Sequence, residues 1–303
     1  MGLKVLSLFD GIACGMQAFK ELGIPIDVYY ASEIEKNAIK VAKANHPEII
    51  EIGDVTEIDF NDYIGKIDII IGGSPCQGFS VSGKQLAFLD ERSALIKYFF
   101  KAVEIIKPKY FFLENVVMQK QYEKNISNIL GVQPIRINAA FVSPQQRIRL
   151  YWTSIPNVCQ PEQIPGLTIQ TVLGETYSKE TYPEGEFNLT HPYNDVNYAD
   201  RCLILGHTGQ KNSQSTRVYS SCGKHPTLAT HNTTRYMIGG KIKRATVEGL
   251  ELLQGLPIGY TSMCGDGGYH SREILIGNGW CVPVIKHIFS FIPKEDEDAS
   301  KEG

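Results

Sequence analysis

A cysteine in "GGSPCQGFS", residues 72–80, stands just past the apolar run Ile69–Ile71, on a turn too rich in glycine and serine to pack it. On such a turn Cys76 could be a nucleophile. A free thiol has a pKa of about 8.5 and is roughly one-tenth thiolate near pH 7.5, a share that a helix N-terminus or an arginine would raise. It could also pack as an ordinary small hydrophobe. Glu114, in "ENV", ends a strand-like run that is otherwise apolar. An acid there needs a partner, holds its proton, or caps the following helix. "PQQRIRLYW" sets Arg147 and Arg149 two residues apart, so on one strand both face the same side. Two adjacent guanidiniums suit an anion such as phosphate or carboxylate; an exposed basic edge is the plainer alternative.

Upstream, "LFDGIACG" follows a strand-like run and opens a helix, Glu33 comes 22 residues after Gly11, and Asp54 follows the third strand. Glycine lets the backbone approach a nucleotide-like ligand, and an acid at the position of Glu33 can grip ribose hydroxyls. Asp54 is placed to accept from an adenine amino group. Taken singly, each also reads as an acidic cap at a helix N-terminus. The turn is not G-x-G-x-x-G, so a dinucleotide pyrophosphate is a poor match, and the three in order suit an adenosyl cofactor.

These residues need elements to hold them. "KVLSLF", "IDVYYASEI", "IIEIGDV", "KIDIIIGG" and "KYFFLENV" read as strands, separated by the helical patterns "GMQAFKELG", "EKNAIKVAKANHP" and "ERSALIKYFFKAVEIIK". "PIRINAAFV" and "RLYWTSI" read as a hairpin that closes the sheet. The alternation predicts a doubly wound, mostly parallel α/β sheet, in which ligands bind beyond the carboxyl ends of the strands. Asp10-Gly11, Glu33, Asp54, Cys76 and Glu114 all fall at that edge. From residue 157 the chain turns rich in Pro, Gly, Thr, Ser and Asn and loses helical periodicity, which predicts a smaller, irregular or β-rich unit. The expected division is 1–156 for a catalytic and cofactor-binding domain, 157–243 for the second domain, and 244–303 for a return to the first. That last part ends in an amphipathic helix and an acidic tail.

The 303 residues are 43% hydrophobic, enough for a normal core, and no apolar stretch approaches the roughly 20 residues of a membrane span. The start reads as neither a signal peptide nor a transit sequence, so a cytoplasmic protein is expected. Seven scattered cysteines with no CxxC argue against disulfides and structural zinc; no metal is expected. The net charge of −3 conceals a segregation: Arg201–Arg244 holds eight Lys/Arg and no acid, whereas Gln160–Asp200 holds seven acids and one Lys. Such segregation suggests a local basic surface, as on a nucleic-acid binder, on a protein that is not basic overall; a solvated face by chance is the plainer alternative.

In their order and spacing, "FDGIACG", "SEI", "GDV", "GSPCQGFS", "ENV", "PQQRIRLYW", "RATVEGLELLQGLP" and "GNGWCVPV" resemble the cytosine-5 DNA methyltransferase family, from residue 3 to the final helix. "PCQGFSVSGKQ" is similar to bacterial and phage restriction-type members; "FDGIACG", "ASEI", "ENVV" and the "W.VPVI" ending are similar to the vertebrate de novo branch. The resemblance implies a Rossmann-like, S-adenosylmethionine-dependent fold with a target-recognition domain, acting on double-stranded DNA. Cys76 would add to carbon 6 of a flipped-out cytosine and Glu114 would contact the ring edge. Arg149, with Arg147 beside it, would support the site. Phe9, Asp10, Gly11, Ile12, Gly15, Glu33, Ile34, Asp54, Val55, Pro75, Asn278 and Trp280 fall where the family binds its cofactor. Ser80, Ser82 and Lys84, on a loop with Gly78 and Gly83 as pivots, and Gln214, Arg217, Thr227 and Leu228 are the expected DNA contacts. In an ungapped match the family's late-helix carboxylate falls on Gly249, with Glu248 and Glu251 flanking it. A cognate restriction endonuclease is an implied companion. Three rival readings are an RNA cytosine-5 methyltransferase, whose tRNA branch carries a Cys-Phe-Thr signature not seen here; a silent DNA-binding relative, which would tend to lose the Pro-Cys pair; and a nucleotide-dependent oxidoreductase on a similar sheet, which lacks the glycine fingerprint and leaves "PCQ" unexplained.

Overall fold

The apolar runs of the first half become strands of one sheet. The structure, a computed structural model, describes residues 2–74, 95–178, 187–189, 201–209, 216–230, 234–264 and 268–294. In chain order the first unit comprises β1 (Leu3–Leu8), α1 (Cys14–Leu22), β2 (Ile26–Ser32), α2 (Lys36–Asn45), β3 (Ile50–Glu51), β4 (Ile69–Gly72), α3 (Ile96–Ile106), β5 (Tyr110–Val116), α4 (Lys120–Leu130), β6 (Ile135–Asn138) and β7 (Ile148–Thr153). The sheet order is β3-β2-β1-β4-β5-β7-β6. The first five strands run parallel, and β7 is antiparallel to both its neighbours. The strand order reverses between β1 and β4, the place where an open α/β sheet leaves a crevice for a ligand.

Side-chain alternation builds two cores, one on each face. Ile69 and Ile71 of β4 point into one cluster and Ile70 into the other; on β5, Tyr110 and Phe112 join the first, Phe111 and Leu113 the second. Burial on both faces is why these strands read as continuous apolar runs. Helices α1 and α2 cover the first cluster and α3 and α4 the second.

The chain then builds a second, smaller sheet after α5 (Ile169–Leu173). It consists of β8 (Phe187–Leu189), β9 (Ile204–Thr208), β10 (Arg217–Ser220), β11 (Arg235–Ile238) and β12 (Lys241–Lys243), in the order β12-β11-β10-β9-β8. Three helices follow: α6 (Val247–Gln254), α7 (Tyr269–Asn278) and α8 (Val282–Phe289). Tyr219 and Tyr236 of the second sheet share a core with Ile169, Leu173, Leu250, Leu253 and Ile276, so α5, α6 and α7 complete it. Helix α8 returns to the first sheet, where Phe289 stacks on Phe19 of α1 at 4.4 Å. Among the described residues no helix is long and apolar enough to cross a membrane.

Three details depart from the sequence reading. The third strand is only two residues long, because the chain turns away at Gly53 with φ of 79°. Helix α4 entered only through the alternative that Glu114 caps a following helix, and α5 and α7 were not anticipated. Strand β7 begins at Ile148, so Arg147 precedes it and the two-residue alternation does not govern the Arg147–Arg149 pair.

Candidate active site

The residues at the carboxyl edge of β1, β2, β4 and β5 line a cavity of about 460 Å³. Phe9, Asp10, Gly11, Ile12, Glu33 and Glu114 reach it from this edge, and Asn278, at the end of α7, and Trp280, in the turn before α8, close it. That volume lies within the range of small-molecule pockets.

The loop after β1 has an unusual backbone. Phe9, Gly11 and Ala13 all have positive φ, at 60°, 62° and 59°. For the two non-glycine residues the left-handed region costs roughly 1–2 kcal/mol each, so neighbouring contacts must hold it. The Asp10 amide donates to Ser32 O at 3.2 Å, the Gly11 amide to Glu33 Oε2 at 2.8 Å, and the Tyr260 hydroxyl to Ile12 O at 2.9 Å. The other oxygen of Glu33 accepts from the amides of Ile34 and Glu35 at 2.8 and 2.9 Å. Beside it Ile34 is 67% exposed, an apolar side chain left open next to a carboxylate. Burial pushes the Asp10 carboxyl up to about 6, opposed by hydrogen bonds from Ser7 and Tyr29 at 2.5 and 2.7 Å. Cys14 also lines the cavity, but burial pushes its thiol up to about 12, so it is inert.

Glu114 finds its partner in Arg149. The two lie diagonally across β5 and β7, where Glu114 sits opposite Tyr151 and Arg149 opposite Val116. Arg149 Nε donates to Glu114 Oε1 at 2.9 Å, with both side chains largely buried. The next residue, Asn115, is buried and donates from Nδ2 to Ser74 Oγ at 3.1 Å. The end of β5 is thereby tied to the residue two places before Cys76. Cys76, Pro75, Ser80, Ser82, Lys84 and Gln214 lie outside the described residues.

Arg147 behaves differently from its neighbour. It is 5% exposed, and its guanidinium donates to three peptide carbonyls: Leu228 at 3.0 Å, Gly279 at 3.2 Å and Gly277 at 3.4 Å. Burial, with repulsion from Arg149, lowers its pKa to about 10. The expected anion-facing pair is therefore not formed: Arg149 holds a carboxylate and Arg147 staples backbone. Gln145 completes the staple. Its Oε1 accepts from the Leu228 amide at 2.8 Å, and its Nε2 donates to Gln254 Oε1 at 2.8 Å. Gln254 in turn donates to the carbonyls of Ile276 and Gly279, both at 2.8 Å.

Other expected residues are spread more widely. Gly15 and Val55 sit in the core rather than in the cavity. A Cβ on Gly15 would lie 2.6 Å from Ile71 Cδ1, and Val55 belongs to the cluster around Phe60. Asp54 is half-buried and caps its own turn, accepting from the Thr56 amide at 2.9 Å. Trp280 packs edge-on to Phe112 and lies over Gly73, where a Cβ would come within 2.5 Å of its Nε1. Leu228 is buried with both peptide groups bonded, so its side chain is not offered to DNA as expected. Thr227 is exposed at the cavity, its hydroxyl donating to Gln146 O at 2.9 Å. Arg217 starts β10 opposite His207 and hydrogen-bonds Tyr219. Of the basic segment 201–244, Lys224 is fully buried and donates to Ser143 O, which removes it from the surface.

The late helix explains its own departure from the family pattern. A Cβ on Gly249 would lie 2.7 Å from Thr176 O, so no carboxylate fits there. Glu251 is fully buried instead, accepting from the amides of Gly259 and Thr261 at 2.6 and 2.7 Å and pairing with Arg272 at 3.1 Å. Asn115, Gln145, Gln254 and Tyr260 were not singled out from the sequence. The available signal was a polar residue inside an apolar or motif stretch, which names no partner.

A profile of C-5 cytosine-specific DNA methylases matches residues 3–294. The orphan methyltransferase M.SPRI of Bacillus phage SPR is 36% identical over 165 residues, 49% of this chain and 37% of that protein. The type II methyltransferase M.HgiCI of Herpetosiphon aurantiacus is 36% identical over 196 residues, 58% of this chain and 43% of that protein. The matches thus span about two-fifths of these curated relatives. Among solved structures, Entamoeba histolytica methyltransferase EhMeth superposes with a TM-score of 0.71 at 15% identity, covering 96% of this chain and 98% of that one. With the profile spanning almost the whole chain and the sheet order, cavity and Glu114–Arg149 pair in view, the chain belongs to the C-5 cytosine-specific DNA methylase family.

Proposed function

We propose that this protein methylates carbon 5 of cytosine in duplex DNA with S-adenosylmethionine as the methyl donor. The observation that carries the reading is the shared edge. The Glu114–Arg149 pair, the anchored Ser74 before the Cys76 loop, and the Glu33-braced turn line one cavity. An adenosyl group fits the residues present: Glu33 offers a carboxylate for hydroxyls, Phe9 offers apolar surface in the cavity, the exposed Ile34 stands next to Glu33 outside its lining, and Trp280 and Asn278 form the opposite wall. When bound, S-adenosylmethionine supplies an electrophilic methyl group.

Carbon 5 of cytosine is a weak nucleophile, which gives Cys76 its task. Its thiolate adds to carbon 6, and the ring electrons released make carbon 5 an enamine terminus. Glu114 holds the ring edge at nitrogen 3, with its orientation fixed by Arg149. Loss of the carbon-5 proton and expulsion of the Cys76 thiolate restore the aromatic ring after methylation. The target lies inside the duplex, so the base is flipped out, a step for which the sequence "QGFSVSGKQ", outside the described residues, is the expected closing element. The second sheet and its basic residues form the recognition domain, at 157–243, with Arg217 and Thr227 as DNA contacts. The setting is a prokaryotic or phage cytoplasm, with a restriction endonuclease as companion in the restriction-modification case.

The test is tritium transfer from labelled S-adenosylmethionine to duplex DNA, with RNA in parallel. Label in DNA with a 5-methylcytosine product supports the proposal. Label in RNA alone overturns the substrate, and DNA binding with no transfer overturns the enzyme. Cys76→Ala is expected to abolish transfer yet bind S-adenosylhomocysteine as the wild type does; full turnover by that variant refutes the adduct.

A further inference from the structure

The turn at residues 9–13 is held from behind as well as from the cavity side. Tyr260 lies 3% exposed beneath it, and its hydroxyl donates to the Ile12 carbonyl at 2.9 Å. Ile12 sits between Gly11 and Ala13, both left-handed, so its peptide orientation decides the path of the turn. His46, just past α2, is fully buried with Nε2 3.2 Å from the same hydroxyl. Because the hydroxyl proton goes to Ile12, His46 must be the donor to the tyrosine oxygen, which puts the imidazole proton on Nε2. His46 Nδ1 is then an acceptor with no hydrogen-bond partner, 3.9 Å from Glu48 Oε1. Burial, which lowers the imidazole to about 4, keeps the ring in this neutral state.

Tyr260 is itself clamped from two sides. Asn45 donates from Nδ2 to the Tyr260 carbonyl at 2.8 Å. The residues on either side, Gly259 and Thr261, give their amides to the buried Glu251, and Arg272 donates from Nε to Thr261 Oγ1 at 2.8 Å. A hydroxyl so thoroughly placed is aimed at one carbonyl, and that carbonyl belongs to the strained turn.

We propose that Tyr260 is a positioning residue for the cofactor: its hydroxyl, oriented by His46, fixes the Ile12 peptide and with it the 9–13 turn on which S-adenosylmethionine rests. The inference rests on the cofactor reading given above. It assigns the loop after α6 a part in cofactor affinity, separate from DNA binding and from the chemical step.

Tyr260→Phe keeps the ring and removes only the donor. Isothermal titration with S-adenosylhomocysteine is expected to show binding weakened about three- to tenfold. Turnover at saturating cofactor is expected to stay within about twofold of wild type, with the KM for DNA unchanged. In the cofactor-free protein, amide hydrogen exchange in a peptide covering residues 9–14 is expected to quicken, while a peptide from β5 exchanges as before. If Tyr260→Phe does not fold, His46→Leu supplies the second variant, with the same signature to a smaller degree. Unchanged affinity together with unchanged exchange overturns the proposal. So does an equal loss of cofactor affinity, DNA affinity and turnover, which would mark a general structural role. Wild-type protein that fails to bind S-adenosylhomocysteine would sink the cofactor reading instead, and the exchange experiment, which needs no cofactor, would still decide whether Tyr260 holds the turn.

Discussion

Replacing Arg147 by methionine separates two readings of the same side chain. Methionine keeps the length and the burial but removes every donor. The Gly279 carbonyl retains a second donor in Gln254 Nε2 at 2.8 Å, whereas Leu228 O and Gly277 O lose the guanidinium. Two buried acceptors stripped of a charged donor cost roughly 1–3 kcal/mol each. Removing a buried cation recovers part of this through desolvation, which leaves a net loss of about 2–4 kcal/mol. For a chain of this size that corresponds to a fall of about 3–6 °C in melting temperature. Urea unfolding gives the free energy and differential scanning fluorimetry the midpoint. Arg147→Lys keeps the charge without the planar fork, so it is expected to lose more than half as much. The reasoning is refuted if Arg147→Met unfolds within about 0.5 kcal/mol of wild type. Normal stability combined with lost DNA affinity would mean that the arginine serves a phosphate after all.

Glu114→Gln retains the shape but leaves the largely buried Arg149 without its counter-charge; methyl transfer is expected to fall about 10²- to 10³-fold while S-adenosylhomocysteine binding holds, and a loss under tenfold would deny Glu114 a part in the chemistry. Gly73→Ala drives a methyl against Trp280 Nε1, so it should cost about 1–3 kcal/mol and weaken cofactor binding; a variant indistinguishable in tryptophan fluorescence and affinity contradicts the packing. Burial lowers His225 to about 4, from an ordinary 6.5, so its neutral form contributes stability that is present above pH 6.5 and lost as pH falls toward 4. Wild type should therefore lose about 1.4 kcal/mol per pH unit across that window relative to His225→Leu, and parallel urea midpoints for the two proteins at pH 7.5, 5.5 and 4.5 would refute it.

The parallel sheet was legible because strands such as Ile69–Gly72 and Tyr110–Val116 are buried on both faces, which leaves an apolar run that glycine and proline then punctuate. Glu114 was legible for the same reason, as a lone acid in such a run. Helix α7 was not: Glu273, Leu275, Ile276 and Gly277 are all buried, so it shows no polar stripe to set the helical period. Arg147 and Arg149 look equivalent in sequence, and only the start of β7 at Ile148 separates a backbone staple from a carboxylate partner. Gln145 meets Gln254 across 109 positions and Tyr260 meets Ile12 across 248, distances over which local pattern carries no information. Glu251 was noticed only as a neighbour of Gly249, because the collision of a Cβ with Thr176 O is a fact of tertiary packing.

The return of α8 to the first sheet sets an order on the birth of the molecule. Lys286 of α8 pairs with Glu21 of α1 across 265 positions, beside the Phe19–Phe289 stack. At roughly 5–20 residues per second, a ribosome leaves that face of α1 bare for about 13–50 s. The turn at residues 9–13 is made early and the far wall of its cavity, Trp280, nearly last. The residues at the carboxyl edge of the first sheet are therefore made well before the wall that completes their cavity. The apolar face of α1 waits uncovered, and the cavity stays open on the Trp280 side, until translation has passed the end of α8.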